Sequence, residues 1–279
     1  MKTEITGDPA ENKKAGKTGS GNENASEPVN FSYPFLGRSF HTPGELAGAL
    51  AENWEEGKKQ LFRGLLSSFF KNFAPDLAGI CIDAEEEYAC HSDRADGIYF
   101  CFLCHLDPDR KEFSWLDRSW PNLTVFGREI LEKTRKKDFS QADTWDGLLL
   151  NGVLSTCCRL RNYPQQAIEA LEKAEESCGE SPVRSYYIIA YILSGSRTLK
   201  VKDHYFQNMD ALNEFLRNLM NRSFEEFDIF CGNLIFDDNR LDPQLEAWLI
   251  VQGKEKILFR WKQKLGVRTG GKSDEGYKR

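Results

Sequence analysis

At 279 residues and 40 % apolar side chains, the chain can bury a sizeable core without disulfides or a structural metal. Its formal charge of -6 gives no overall attraction to nucleic acid or anionic lipid, so neither is favoured as a partner. No apolar run is long enough to span a membrane and residues 1–14 lack the apolar centre of a secretory signal, so the expectation is a cytoplasmic protein whose eight cysteines are reduced thiols.

Residues 1–30 are rich in Lys, Glu, Asn, Gly and Ser and carry no Leu, Phe or Trp, which predicts a disordered arm. The tail 268–279 reads the same way. The string Ala15-Gly16-Lys17-Thr18 resembles the end of a phosphate loop, but Glu11 stands where that motif needs glycine and no strand precedes it.

Between the tails, one ordered series of features recurs. It begins with an aromatic segment around a tight turn: Phe35-Leu36-Gly37-Arg38-Ser39-Phe40, Trp115-Leu116-Asp117-Arg118-Ser119-Trp120 and Val201-Lys202-Asp203-His204-Tyr205. Apolar residues flanking a polar turn predict small β-hairpins. An amphipathic helix follows each: the first opens at Thr42-Pro43 with Glu45 completing a capping box, the second after Thr124, the third after Asn208. Next comes a glycine between apolar residues, at Gly64, Gly152 and Gly232, expected to serve a bend because glycine accepts positive φ. In the second and third copies a nearly continuous apolar helix precedes the hairpin, at 98–106 and 186–193.

The fold class is therefore mostly α, with about three diverged helix-hairpin-helix modules: a truncated first (31–92), a second (93–182), and a third with a basic capping helix (183–267). The acidic run Asp83, Glu85, Glu86, Glu87 reads as a solvated linker. Basic residues cluster at Lys133, Arg135, Lys136 and Lys137, and again from Lys254 to Arg268 beside Ile257, Leu258, Trp261 and Leu265.

The sharpest chemical motif is Cys90-His91 with Cys101, Cys104 and His105, whose two Cys-His pairs could supply tetrahedral zinc ligands. The Cys101-to-His105 string also matches the attachment signature of c-type haem, which presupposes export. Setting Leu106 against Leu193 places Cys101 opposite Ile188 and Cys104 opposite Tyr191, ordinary core residues, so structural thiols are the preferred reading and no cofactor is expected. With four histidines and no Gly-x-Ser-x-Gly elbow, no catalytic nucleophile and base stand out.

The strings Phe40-His41-Thr42-Pro43-Gly44-Glu45-Leu46-Ala47-Gly48-Ala49-Leu50, Glu52-Asn53-Trp54-Glu55-Glu56-Gly57-Lys58 and Cys104-His105-Leu106-Asp107-Pro108, the last leading to Phe113-Ser114-Trp115, resemble a helical module appended to some bacterial serine/threonine kinases and DnaK-type chaperone relatives. The resemblance covers most of 32–249 and implies architecture alone; it carries over no catalytic residue. A protein-interaction or adaptor role follows, with another protein as partner and with Phe35, Phe40, Trp115, Trp120 and Tyr205 as the contact or packing aromatics, packing being preferred. The alternatives are a zinc-dependent regulator or enzyme centred on Cys90 to His105, and nucleic-acid or membrane-surface binding through the basic C-terminal helix.

Overall fold

The computed structural model describes residues 32–235 and 240–254. The expected N-terminal arm, the C-terminal tail and nearly all of the basic terminal helix lie outside the described residues. Among those described, thirteen α-helices alternate with three two-stranded antiparallel hairpins.

The hairpins form where aromatic and apolar residues flank a two-residue turn. β1 (Tyr33–Phe35) pairs with β2 (Arg38–Phe40), β3 (Phe113–Trp115) with β4 (Arg118–Trp120), and β5 (Leu199–Val201) with β6 (His204–Phe206). The registers correspond: Tyr33 faces Phe40, Phe113 faces Trp120 and Leu199 faces Phe206. In each turn the first residue, Leu36, Leu116 or Lys202, sits at φ of 49°, 54° or 51°. That left-handed conformation is uncommon for a residue with a side chain, but tight hairpin turns require it.

A capped helix follows each hairpin: α1 (Pro43–Glu52), α6 (Leu123–Arg135) and α11 (Met209–Arg222). At α1, Glu45 N donates to Thr42 Oγ1 (3.2 Å) and the Glu45 carboxylate accepts from His41 N (3.0 Å). At the other two, the cap is an asparagine, Asn122 accepting from Val125 N and Asn208 from Ala211 N, each at 2.9 Å. The second helix thus starts before Thr124, because Asn122 already caps it by accepting from Val125 N.

The first hairpin and α1 continue into α2 (Trp54–Phe62), α3 (Leu65–Phe70), α4 (Pro75–Cys90) and α5 (Ala95–Leu106). The second hairpin and α6 continue into α7 (Ala142–Leu150), α8 (Val153–Leu160), α9 (Gln165–Ser177) and α10 (Pro182–Ser194). After the third hairpin and α11 come α12 (Phe224–Gly232) and α13 (Pro243–Val251). The two apolar helices hold the layers together: α5 packs on α1, α4 and α8, and α10 packs on α6, α9 and α13. At the α6–α10 crossing a Cβ on Gly127 would stand 2.5 Å from Ser194 N, so only glycine permits that approach. Tyrosines tie the same pairs, Tyr99 donating to Leu50 O (2.9 Å) and Tyr187 to Thr134 O (3.0 Å).

Two expectations are corrected. The acidic run at 83–87 is no linker; it lies within α4, which starts at Pro75 and buries Ala78, Cys81 and Ala84 while Glu86 and Glu87 face solvent. Of the three glycines, Gly64 and Gly152 have φ of 72° and 64° and turn the chain into α3 and α8, but Gly232 has no positive φ and ends α12. The reason lies in the cap. Asn151 donates from its side chain to Gly147 O at the end of α7, and Asn233 donates to Ile229 O at the end of α12 (2.6 Å each). The two asparagines correspond, which sets Gly152 against Leu234 and moves Gly232 out of register. Beyond Leu234 the chain leaves through a bridge between Ile235 and Leu241 instead of a left-handed turn.

Candidate functional site

The aromatic residues singled out from sequence divide sharply. Phe35, Phe40, Trp115 and Trp120 are buried, whereas Tyr205 is 62 % exposed. Trp115 packs edge-on against Trp54 and Phe100 (centroids 5.6 and 5.8 Å), and Trp120 packs on Phe113 and Phe126 (5.6 and 4.8 Å). These hairpins cement neighbouring helices, and their aromatic side chains are core, not contact surface.

The possible zinc ligands do not converge. Cys90 and His91 are exposed at the end of α4, while Cys101 and Cys104 lie along α5, with His105 exposed on its last turn. Among the described residues no group of three or more His, Cys, Asp or Glu side chains is placed to hold a metal ion. Cys104 turns instead towards α8, where its thiol hydrogen-bonds Cys157; that bond and burial hold its pKa well above the usual thiol value. Burial likewise pushes Cys101 up to about 12. Buried, protonated thiols of this kind act as small core side chains.

The surface feature with chemistry is a groove between α6 and the third hairpin. Arg128, Leu131, Glu132, Arg135 and Lys136 form one wall, the Ser194-Gly195-Ser196 turn the floor, and Lys200 and Tyr205 the other wall, around about 510 Å³. Four cations face one carboxylate, and that carboxylate, Glu132, is paired with Lys136. Arg135 is a fixed post: Nε donates to Gln244 Oε1 (2.8 Å), and Nη2 to Tyr191 Oη (3.0 Å) and Thr198 O (3.1 Å). Burial raises the Tyr191 phenol to about 12 against the opposing pull of Arg135, so it remains a neutral hydroxyl that itself donates to Thr198 O (3.1 Å). Lys200 Nζ lies 5.5 Å from the Tyr205 ring centre, which fixes an exposed aromatic beside an ammonium. Arg128 and Lys136 are exposed to solvent on the same helix.

A second groove occupies the corresponding place one hairpin earlier, between the α1–α2 junction and the β3–β4 turn. It encloses about 450 Å³ and is lined by Glu52, Asn53, Trp54, Glu55, Glu56, Leu116 and Asp117. The first groove in the chain is thus acidic and the second basic. Their linings are charged and aromatic, with Tyr205 among the cations of the basic groove and Trp54 among the acids of the other.

Arg135 and Lys136 were visible in the sequence as part of a basic cluster, but Lys133 of that cluster pairs with Asp138 (3.6 Å). Arg128 and Lys200 carried no sequence signal, since they meet only through the packing of α6 on α10. Comparison with protein-family models, with curated proteins and with solved structures finds no match to this chain.

Proposed function

We propose that the chain is a non-catalytic protein-interaction or adaptor protein of the bacterial cytoplasm, built from about three copies of one helix-hairpin-helix module. Its basic groove grips an acidic segment of a partner protein. One observation carries this reading: among the hairpin aromatics singled out, Tyr205 alone faces solvent, and it does so on the wall of a groove lined by Arg128, Arg135, Lys136 and Lys200. An exposed aromatic beside preorganised cations is the composition of an interface anchor. Three features support the modular reading: the matching hairpin registers, the side-chain cap after each hairpin, and the packing of α5 and α10 on the helices that follow the preceding hairpins. Among the described residues no helix is long and apolar enough to cross a membrane. The likeness to modules beside kinases and chaperone relatives fits a scaffold role.

The test is capture of partners from the source cell by the full-length chain at two salt concentrations, beside an Arg128→Glu/Lys200→Glu variant. The expected result is one stoichiometric protein with an acidic segment, released as salt rises and bound at least about tenfold more weakly by the variant. Equal capture by the variant, or capture of nucleic acid alone, would contradict the proposal.

A further inference from the structure

The thiols between α5 and α8 form a pair with access to a small cavity. Cys104 is 7 % exposed and Cys157 fully buried; they stand on packed helices, and the Cys104 thiol hydrogen-bonds Cys157. Two sulfurs already in such contact leave the chain little to move before an S–S bond forms. Cys104 also lines a cavity of about 20 Å³, which has room for one molecule about the size of water or hydrogen peroxide. Exposed Glu112 lines the same cavity, which brings it to the surface. Two guanidiniums, Arg110 and Arg161, face it together with Asp107 and the Ser114 hydroxyl. Arg110 is committed elsewhere, donating from Nη1 to Ala47 O (3.0 Å) and from Nη2 to Glu112 Oε2 (2.9 Å). Arg161 reaches Glu112 O at 3.5 Å, and its charge favours the thiolate form of both cysteines.

We infer that Cys104 and Cys157 are a modification site for hydrogen peroxide, at which the two thiols close to a disulfide between α5 and α8. A Cys104 thiolate attacks one peroxide oxygen and breaks the O–O bond. The leaving hydroxide takes up the proton that left the thiol and becomes water. The Cys157 sulfur then attacks the Cys104 sulfenic acid: the S–S bond forms, the S–O bond breaks, and the Cys157 proton leaves with the hydroxyl as a second water. Both sulfurs are oxidised and both peroxide oxygens reduced. Cys101 and Cys158 flank the pair, but of these four thiols it is Cys104 that lines the cavity. The reduced pair is ordinary core; the oxidised pair ties α5, which leads into the second hairpin, to α8 until a thiol reductant reopens it.

The experiment treats the reduced full-length protein with equimolar hydrogen peroxide, blocks the remaining thiols by alkylation and maps the peptides by mass spectrometry. The expected product is a cross-linked pair of peptides carrying Cys104 and Cys157. It should form at least about tenfold faster than exposed Cys90 is oxidised, and dithiothreitol should remove it. Cys157→Ser should stop the sequence at a Cys104 sulfenic acid, which dimedone traps. Arg161→Gln should slow the cross-link about tenfold while hydrogen exchange of α5 and α8 stays unchanged, a split that a merely structural arginine would not give. Oxidation that falls first on Cys90 would overturn the inference. So would a cross-link that forms only as fast as the whole protein unfolds, or one that joins Cys101 to Cys158 instead.

Discussion

Glu175 is a carboxylate that the fold has taken almost wholly out of water. It stands on α9, and its Oε1 accepts from Leu154 N (2.8 Å) and Ser155 N (3.0 Å) at the start of α8. The glycine that enters α8 has no side chain to cap it, so a neighbouring helix supplies the acceptor. Burial outweighs these hydrogen bonds and raises the Glu175 pKa; burial also raises Asp242, whose carboxylate caps α13 through Gln244 N and Leu245 N. A carboxylate with a raised folded-state pKa binds its proton more tightly when folded. Its stabilising contribution is full below the ordinary carboxylate pKa and is lost as pH rises through the folded value. Urea unfolding should therefore show a decline in stability as pH rises from the carboxylate range towards neutrality. Glu175→Gln, which keeps an acceptor and removes the titration, should make that decline shallower. Glu175→Ala should cost about 1 kcal/mol or more at every pH by uncapping α8. An unchanged slope in Glu175→Gln would refute the assignment. None of this was legible in the sequence, where Glu175 is one of many acids on an amphipathic helix; only the packing of α9 on α8 brings it to the two N–H groups.

The elements themselves were largely legible, and where they were not the cause is local. Apolar or aromatic residues flanking a turn located all three hairpins, and Thr42 and Asn208 located two helix starts, because these signals need no distant partner. The glycines misled once, since an apolar-x-Gly-x-Leu string does not say whether the glycine turns the chain or closes a helix. That distinction makes a prediction. Ala at Gly64 or Gly152 forces a Cβ into a left-handed conformation and should destabilise by about 1–2 kcal/mol. Ala at Gly232, helical and with open space at the would-be Cβ, should instead stabilise by up to about 1 kcal/mol. Thermal unfolding of the three variants checks the pattern; equal losses at all three would restore the equivalence that the sequence suggests. The basic groove was only half visible for the opposite reason. Arg135 and Lys136 announce themselves as neighbours in sequence and Arg128 shares their face of α6, whereas Lys200 and Tyr205 join them only through the packing of α6 on α10.

At the scale of the whole molecule, the arrangement sets an acidic groove at the first helix-hairpin junction and a basic one at the second. A chain with an overall charge of -6 that concentrates Arg128, Arg135, Lys136 and Lys200 in one groove has a local field opposed to its global one. Such contrast favours oriented capture of a charged segment and rejects partners of the wrong polarity. Buried Leu199, Val201 and Phe206 anchor the hairpin that forms one wall of the basic groove. Hydrogen exchange of the full-length chain, free and saturated with the protein it captures, is the most direct measurement of this central claim. The account predicts new protection along 128–136, at the 194–196 turn and across β5 and β6, with the α5–α8 thiol interface unchanged. Protection that bypasses those segments, or that falls instead around Cys101 to His105, would contradict it.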